Sequence, residues 1–331
     1  MAEGSGRIGG EDLERELKRV VASATSAEAG LFGPESLTWR VDREAALFLG
    51  AGRALLLQLA HPWVAAGITQ HSTTLTNPIG RFHRTFEIMF TLVFGDLDQA
   101  VGAARRLHRG HSAIMGRLPT TAGRFEKRTP YCANDAAALM WVHATLTETA
   151  LIAHDLILPP LTVEERERYY QEARLLGAVF GLSVEEQPPN WEAFAGYNER
   201  MWRSETIAVS PEARQIAERI FSGAGTLLRP PSWYRAVTTH LLPEVLRAGF
   251  CLRYGVEERR TAERALAWIG RAYPALPSRL RYVGPYQEAV GRLSGRAGPG
   301  PLVRGLNRLW IGKSAMIVPN HASRRGERSL D

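Results

Sequence analysis

The chain has 331 residues, 45% hydrophobic and 23% charged, enough for a sizeable core and incompatible with global disorder. Its formal charge is +7, of which residues 291–331 carry +6 (eight basic side chains against Glu327 and Asp331), so the body is nearly neutral and nucleic-acid binding is disfavoured. The two cysteines, Cys132 and Cys251, lie far apart and form no Cys-x-x-Cys pair, which excludes a zinc framework and covalent haem attachment.

Met1–Gly10 is polar and glycine-rich, with no order expected and no signal peptide, so the expected location is cytoplasmic. Residues 11–28 follow as an amphipathic helix with Leu13, Leu17, Val20 and Val21 on one face, broken by Gly30, Gly33 and Pro34. A long apolar helix is expected from Leu37 to Ala60, ended by Pro62. Its most apolar part, Ala45–Ala60, contains Arg53 and Gln58 and is too short and too polar to span a membrane.

Helices are then expected over 79–94 and 97–118, with Asp96 capping the second. A loop over 119–133 leads to Asn134 and Asp135, which cap a helix running to Leu158 and closed by Pro159-Pro160. Thr162 caps the next, over 163–183. Helical patterns recur to about residue 318, interrupted at Pro230-Pro231, Pro274, Pro277 and Pro285. Period-2 alternation is scarce. The fold class read from this is all-α: an N-terminal arm with one helix (1–30), a single helical domain (31–290) and a basic amphipathic C-terminal arm (291–331).

Five of the nine histidines fall between residues 61 and 111. On a helix over 97–118, the apolar stripe Leu97, Val101, Ala104, Leu107, Ile114, Met115, Leu118 puts His111 at its centre and His108 at its edge. A buried imidazole needs a partner. The commoner partner is a carbonyl or carboxylate; the other is a metal, for which haem iron among apolar walls is one setting. Arg81, Arg84 and Thr85 stand at i, i+3 and i+4 and share a face. They form either a solvated arginine face or a set of donors for haem propionates and oxygen. His143 lies within the stripe Leu139, Val142, Leu146, Ala150, Ala153, as a satisfied core histidine or as a pocket wall. Trp141 lies off that stripe and should pack on a second neighbour. His61 is placed to cap the helix that Pro62 begins.

These residues carry a resemblance. His61-Pro62-x-x-x-x-Gly67, His71-Ser72, Asn77-Pro78-x-x-Arg81-x-x-Arg84-Thr85, Val93-Phe94-Gly95, His111-x-x-Ile114-x-Gly116, and Tyr131-x-Ala133-Asn134-Asp135 leading to Trp141-Val142-His143-Ala144-Thr145 resemble the oxygenase domain shared by rubber (latex-clearing) oxygenases and MpaB-type oxygenases. Leu242-Pro243 and Pro277-x-x-Arg279 fit more loosely, and the likeness covers roughly residues 37–290. The resemblance implies a globin-like helical core, haem b as cofactor, His111 as the proximal iron ligand, Arg81, Arg84 and Thr85 as distal or haem-supporting positions, and oxygen-dependent chemistry on apolar, isoprenoid-like molecules.

Two departures stand out. Arg84 occupies the place where rubber oxygenases carry a lysine, and arginine effectively cannot lose its proton. Segment 61–76 holds no carboxylate to serve as base. Both argue against polyisoprene cleavage by the same mechanism and for the broad, poorly characterised bacterial branch.

The expected function is a haem b-dependent oxygenase acting with O2 on an apolar small molecule; the alternatives are a haem carrier or sensor, and a metal-free helical protein at a membrane surface. Di-iron carboxylate chemistry is disfavoured, because the sequence has no Glu-x-x-His pair. Residues 302–317 place Leu302, Leu306, Leu309 and Ile317 in one sector, with Val303, Trp310 and Met316 near it and Arg304, Arg308 and Lys313 around it. That pattern suits peripheral contact with an anionic membrane, or packing of the same sector on the protein body.

Overall fold

The structure, a computed structural model, describes residues 6–72, 77–223 and 229–316. Sixteen α-helices follow one another among them: α1 (Gly10–Ser23), α2 (Leu37–Asp42), α3 (Ala51–Leu59), α4 (Pro62–His71), α5 (Pro78–Phe94), α6 (Leu97–Ser112), α7 (Ala136–Ile157), α8 (Val163–Ala178), α9 (Trp191–Arg203), α10 (Pro211–Ser222), α11 (Ser232–His240), α12 (Glu244–Gly249), α13 (Val256–Ala272), α14 (Ser278–Arg281), α15 (Gly284–Leu293) and α16 (Pro301–Ile311). The one sheet among the described residues is a short antiparallel pair, β1 (Met115–Arg117) and β2 (Pro130–Cys132), with Met115 opposite Cys132. The fold is a single all-α domain.

The helix starts follow the capping chemistry of the sequence. Asp96 accepts the Gln99 N–H at 2.9 Å while the Gln99 side chain returns to the Asp96 N–H, and Thr162 with Glu165 repeats the arrangement. Asp135 caps α7 through the Ala138 N–H. His61 caps α4: its Nδ1 accepts the Trp63 N–H at 3.2 Å.

The helices expected over 11–28 and 163–183 end early, at Ser23 and Ala178, and two others break. The span 37–60 divides into α2, a 3-10 turn (Ala45–Leu49) and α3. The Arg43 carbonyl accepts the Val283 N–H at 2.8 Å instead of an intrahelical donor, and buried Glu44 is drawn to Tyr273 and Arg281. Gly50, between the turn and α3, lets α7 approach: a Cβ there would lie 2.4 Å from Thr149 Cγ2. The helix expected over 97–118 stops at Ser112, and residues 115–117 pair with β2. Ile114 and Leu118 therefore leave the stripe and pack with Ala66, Phe125 and Tyr131, while Met115 is exposed.

Helix α7 is the centre of the molecule. It is buried nearly all round, as a helix without a polar face must be. Trp141 points to the second neighbour expected of it, its indole N–H donating to the Leu57 carbonyl at 2.9 Å. Leu139, Met140 and Ala144 meet Tyr170 and Phe194, and Leu151 meets Leu37, Val41 and Tyr169. Among the described residues α7 is the one helix long and apolar enough to cross a membrane, and most of it is buried here. Arg53 is not a surface charge but a buried one, held by the Leu241 carbonyl, Thr149 Oγ1 and Glu148 Oε2 at 2.6–3.0 Å.

At the C-terminal end, α16 lies on α5 and α15. Trp310, Ile311 and Met316 turn inward to Trp39, Phe90, Phe94 and Val283. Asn307 donates to Glu288 at 2.7 Å, and the Met316 N–H donates to the same carboxylate. Leu302 and Leu309 remain on the surface, and Ile317 lies outside the described residues, as do Met1–Ser5 of the N-terminal arm.

Candidate active site

Helices α5 and α6 form an antiparallel hairpin whose turn is Gly95-Asp96. This brings the second and third turns of α5 toward the end of α6, where His108 and His111 stand. His111 sits in the last turn of α6 rather than mid-stripe. It is half-buried, and neither ring nitrogen has a hydrogen-bond partner among the described residues. Burial, and then the positive charges of Arg81 and of His108, push its imidazole down to about 4, so the ring is neutral at physiological pH. Burial alone does the same to His143.

The end of α6 is pinned by Asn134. Its side-chain amide donates to the His108 carbonyl at 3.2 Å and to Ser112 Oγ at 3.0 Å, and Ser112 donates back to that carbonyl at 2.9 Å. The terminal carbonyls of a helix require such partners. His108, His111 and Asn134 then line a small cleft with Ala104, Leu107, Val179 and Phe180, whose free volume of about 10 Å³ has room for about one water. His108 Nδ1 is buried without a partner, and burial followed by Arg7 lowers its pKa.

Of the expected residues, the structure joins Arg81 to Thr85 by hydrogen bonds and sets the Arg81 charge within electrostatic reach of His111. Arg81 donates to Thr85 Oγ1 at 2.8 Å, and Thr85 donates to the Arg81 carbonyl at 2.9 Å. Arg81 lies close enough to His111 to act on its titration, and burial with the neighbouring Arg84 charge lowers its own pKa. Arg84 is on the exposed edge of the same face. Arg81, Arg84 and Thr85 do not line the cleft, whereas His111 does. His143 is fully buried one layer deeper, edge-on to Phe180 with ring centroids 6.2 Å apart, and both its nitrogens are unpartnered.

Sequence reading missed Val179 and Phe180, which follow α8 and carry no motif. It placed Asn134 as a cap for α7; Asp135 takes that role and Asn134 ties α6 instead.

A family described as "ER-bound oxygenase mpaB/B'/Rubber oxygenase, catalytic domain" matches residues 39–272. The chain belongs to this family. The matched span of the MpaB/rubber oxygenase domain contains every candidate residue above and ends with α13. No curated protein and no solved structure matches the chain.

The donor chemistry of the site fits a haem. A neutral, half-buried imidazole with no competing hydrogen bond is the form that ligates iron, and a half-buried arginine within electrostatic reach of it suits an anionic cofactor. At about 10 Å³ the cleft is far below the roughly 300–1,000 Å³ usual for ligand sites, so a porphyrin enters only if walls such as Phe180 and Leu107 move well aside. Among the described residues no group of three or more His, Cys, Asp or Glu side chains is disposed to hold a bare metal ion.

Proposed function

We propose that the protein is a haem b-dependent oxygenase that acts with O2 on an apolar, isoprenoid-like small molecule, with His111 as the iron ligand. The observation that carries this reading is the unpartnered, neutral imidazole of His111 at the wall of a cleft, next to Arg81 and inside the family-matched segment. When bound, the haem supplies the oxidation chemistry. The chain supplies the rest. His111 is kept deprotonated by burial. Arg81 and Arg84 offer guanidinium donors to propionates, and Thr85 fixes the Arg81 guanidinium. Ala104, Leu107, Val179 and Phe180 form apolar walls that exclude water.

A second reading is haem carriage without turnover, which needs no substrate space beyond that opened for the haem itself, whereas the cleft as it stands holds about one water. Protein expressed with a haem precursor should show a Soret band. His111→Ala should lose it, and His108→Ala should keep most of it. The reverse pattern would make His108 the ligand, and a featureless spectrum for the wild type would end both haem readings. Steady O2 uptake with an apolar alkene separates oxygenase from carrier.

A further inference from the structure

The surface at the C-terminal end of α13 is unlike the rest of the molecule. Trp268 is 70% exposed, the most exposed aromatic side chain among the described residues, and Leu276 (43%) and Leu280 (54%) follow within the next twelve positions. The other side of α13 faces the core: Ala262 packs with Ala236 and Val237, and Leu266 and Ile269 pack on Ala46, Leu49 and Ile157. Trp268 is therefore directed outward by a helix whose inward face is already satisfied. The 3-10 turn Tyr273–Ala275 and the short α14 carry the two leucines at the same end of that helix.

Charge decides what this surface meets. Residues 264–281 contain four arginines (Arg264, Arg271, Arg279, Arg281) and no acidic residue. Arg281 is consumed by Glu44, but Arg264, Arg271 and Arg279 are exposed and have no ion-pair partner among the described residues. An exposed tryptophan followed by two exposed leucines, in a segment with three exposed arginines that lack ion-pair partners, matches an anionic lipid interface, where indole sits at headgroup depth and guanidiniums meet phosphates. On α16, by contrast, Trp310 is stacked inward on Phe48 and Lys313 is paired with Glu87, so that helix keeps only Leu302 and Leu309 for an outside partner.

We infer that the α13–α14 end, through Trp268, Leu276, Leu280 and the three unpaired arginines, docks the protein reversibly on an anionic lipid bilayer. The inference is independent of haem binding, since none of these residues touches the cleft.

Co-sedimentation of the full chain, as purified, with phosphatidylcholine vesicles containing about 30% phosphatidylglycerol tests it. Binding should weaken with added salt and be negligible on pure phosphatidylcholine. Trp268→Ala should weaken it about tenfold, and Arg264→Gln/Arg271→Gln/Arg279→Gln should weaken it about a hundredfold, near fivefold per charge. Leu302→Ser/Leu309→Ser should bind as the wild type does. Thermal melts check that each variant is folded. The inference is overturned if the wild type ignores anionic vesicles, or if only the α16 variant loses binding. It is equally overturned if Trp268→Ala converts a wild-type dimer to a monomer without affecting vesicle binding, which would make the patch an interface between copies.

Discussion

Trp310 stacks on Phe48 with ring centroids 3.9 Å apart and an interplanar angle of 12°. The contact joins the C-terminal helix to the 3-10 turn before α3, and Phe86, 4.7 Å from Phe48, extends it to α5. His83, also on α5, meets the Leu309 carbonyl at 3.1 Å, and Lys313 pairs with Glu87. Helix α16 thus braces the back of the helix whose front carries Arg81, Arg84 and Thr85.

Trp310→Ala should accordingly destabilise the fold by about 2 kcal/mol, less than a fully buried Trp→Ala because the ring is half-buried. Removal of residues 300–331 should cost far more, since it strips Ile311 and Met316 from the core and leaves the Glu288 carboxylate without Asn307. Urea melts and solubility check both. A truncated chain that melts with the full-length protein would show that the arm is an appendage.

The all-α class and most helix starts were legible because they rest on local chemistry: Asp96 with Gln99, Thr162 with Glu165, and His61 before Pro62 announce themselves within four residues. What failed was decided by distant partners. Nothing within 37–60 says that Arg43 will accept from Val283, or that Gly50 will be pressed against Thr149. Likewise, the sequence stripe runs past Ser112, but pairing of Met115–Arg117 with Pro130–Cys132 takes the chain out of the helix. The stripe that singles out His111 is only partly real: Ala104 and Leu107 are on it, Ile114 and Leu118 are not. What the motif made legible, beyond periodicity, is the family. Phe180 had no local signature and was visible only once α6 and the end of α8 were side by side.

Arg81 should act on His111 more than Arg84 does. Arg81→Met keeps the aliphatic stem but removes the guanidinium that lowers the His111 pKa. In the metal-free protein, NMR titration should show His111 moving upward, yet remaining below 6.5, because burial is the larger cause. Thr85→Val, which removes the hydroxyl that Arg81 grips, should give a smaller shift in the same direction. Arg84→Ala should leave the His111 titration almost where it was. Equal shifts from Arg81→Met and Arg84→Ala would mean that the face acts as a diffuse charge, without the geometry assigned to Arg81.

His143 should make the fold acid-labile. Its folded-state value of about 4 lies below the 6.5 of a free histidine, so the unfolded chain binds the proton first as pH falls. Stability is fully present above pH 6.5 and is lost as pH drops toward 4, by about 3 kcal/mol for this residue alone. His61 and His111 are lowered to similar values and add to the same loss. Asp42 opposes it: burial raises its carboxyl to about 7, so its contribution is greatest below 3.8 and declines as pH rises to 7. Three histidines against one carboxyl leave a net loss on acidification. His143→Phe removes two unpartnered buried nitrogens while keeping a ring against Phe180. In metal-free protein it should stabilise the fold at pH 7 by about 1–2 kcal/mol and flatten the decline between pH 6.5 and 4 by about half, one group of three whose sum is offset by Asp42. Urea melts across that range measure both. A His143→Phe profile parallel to that of the wild type would show that His143 has a partner when the protein is in solution.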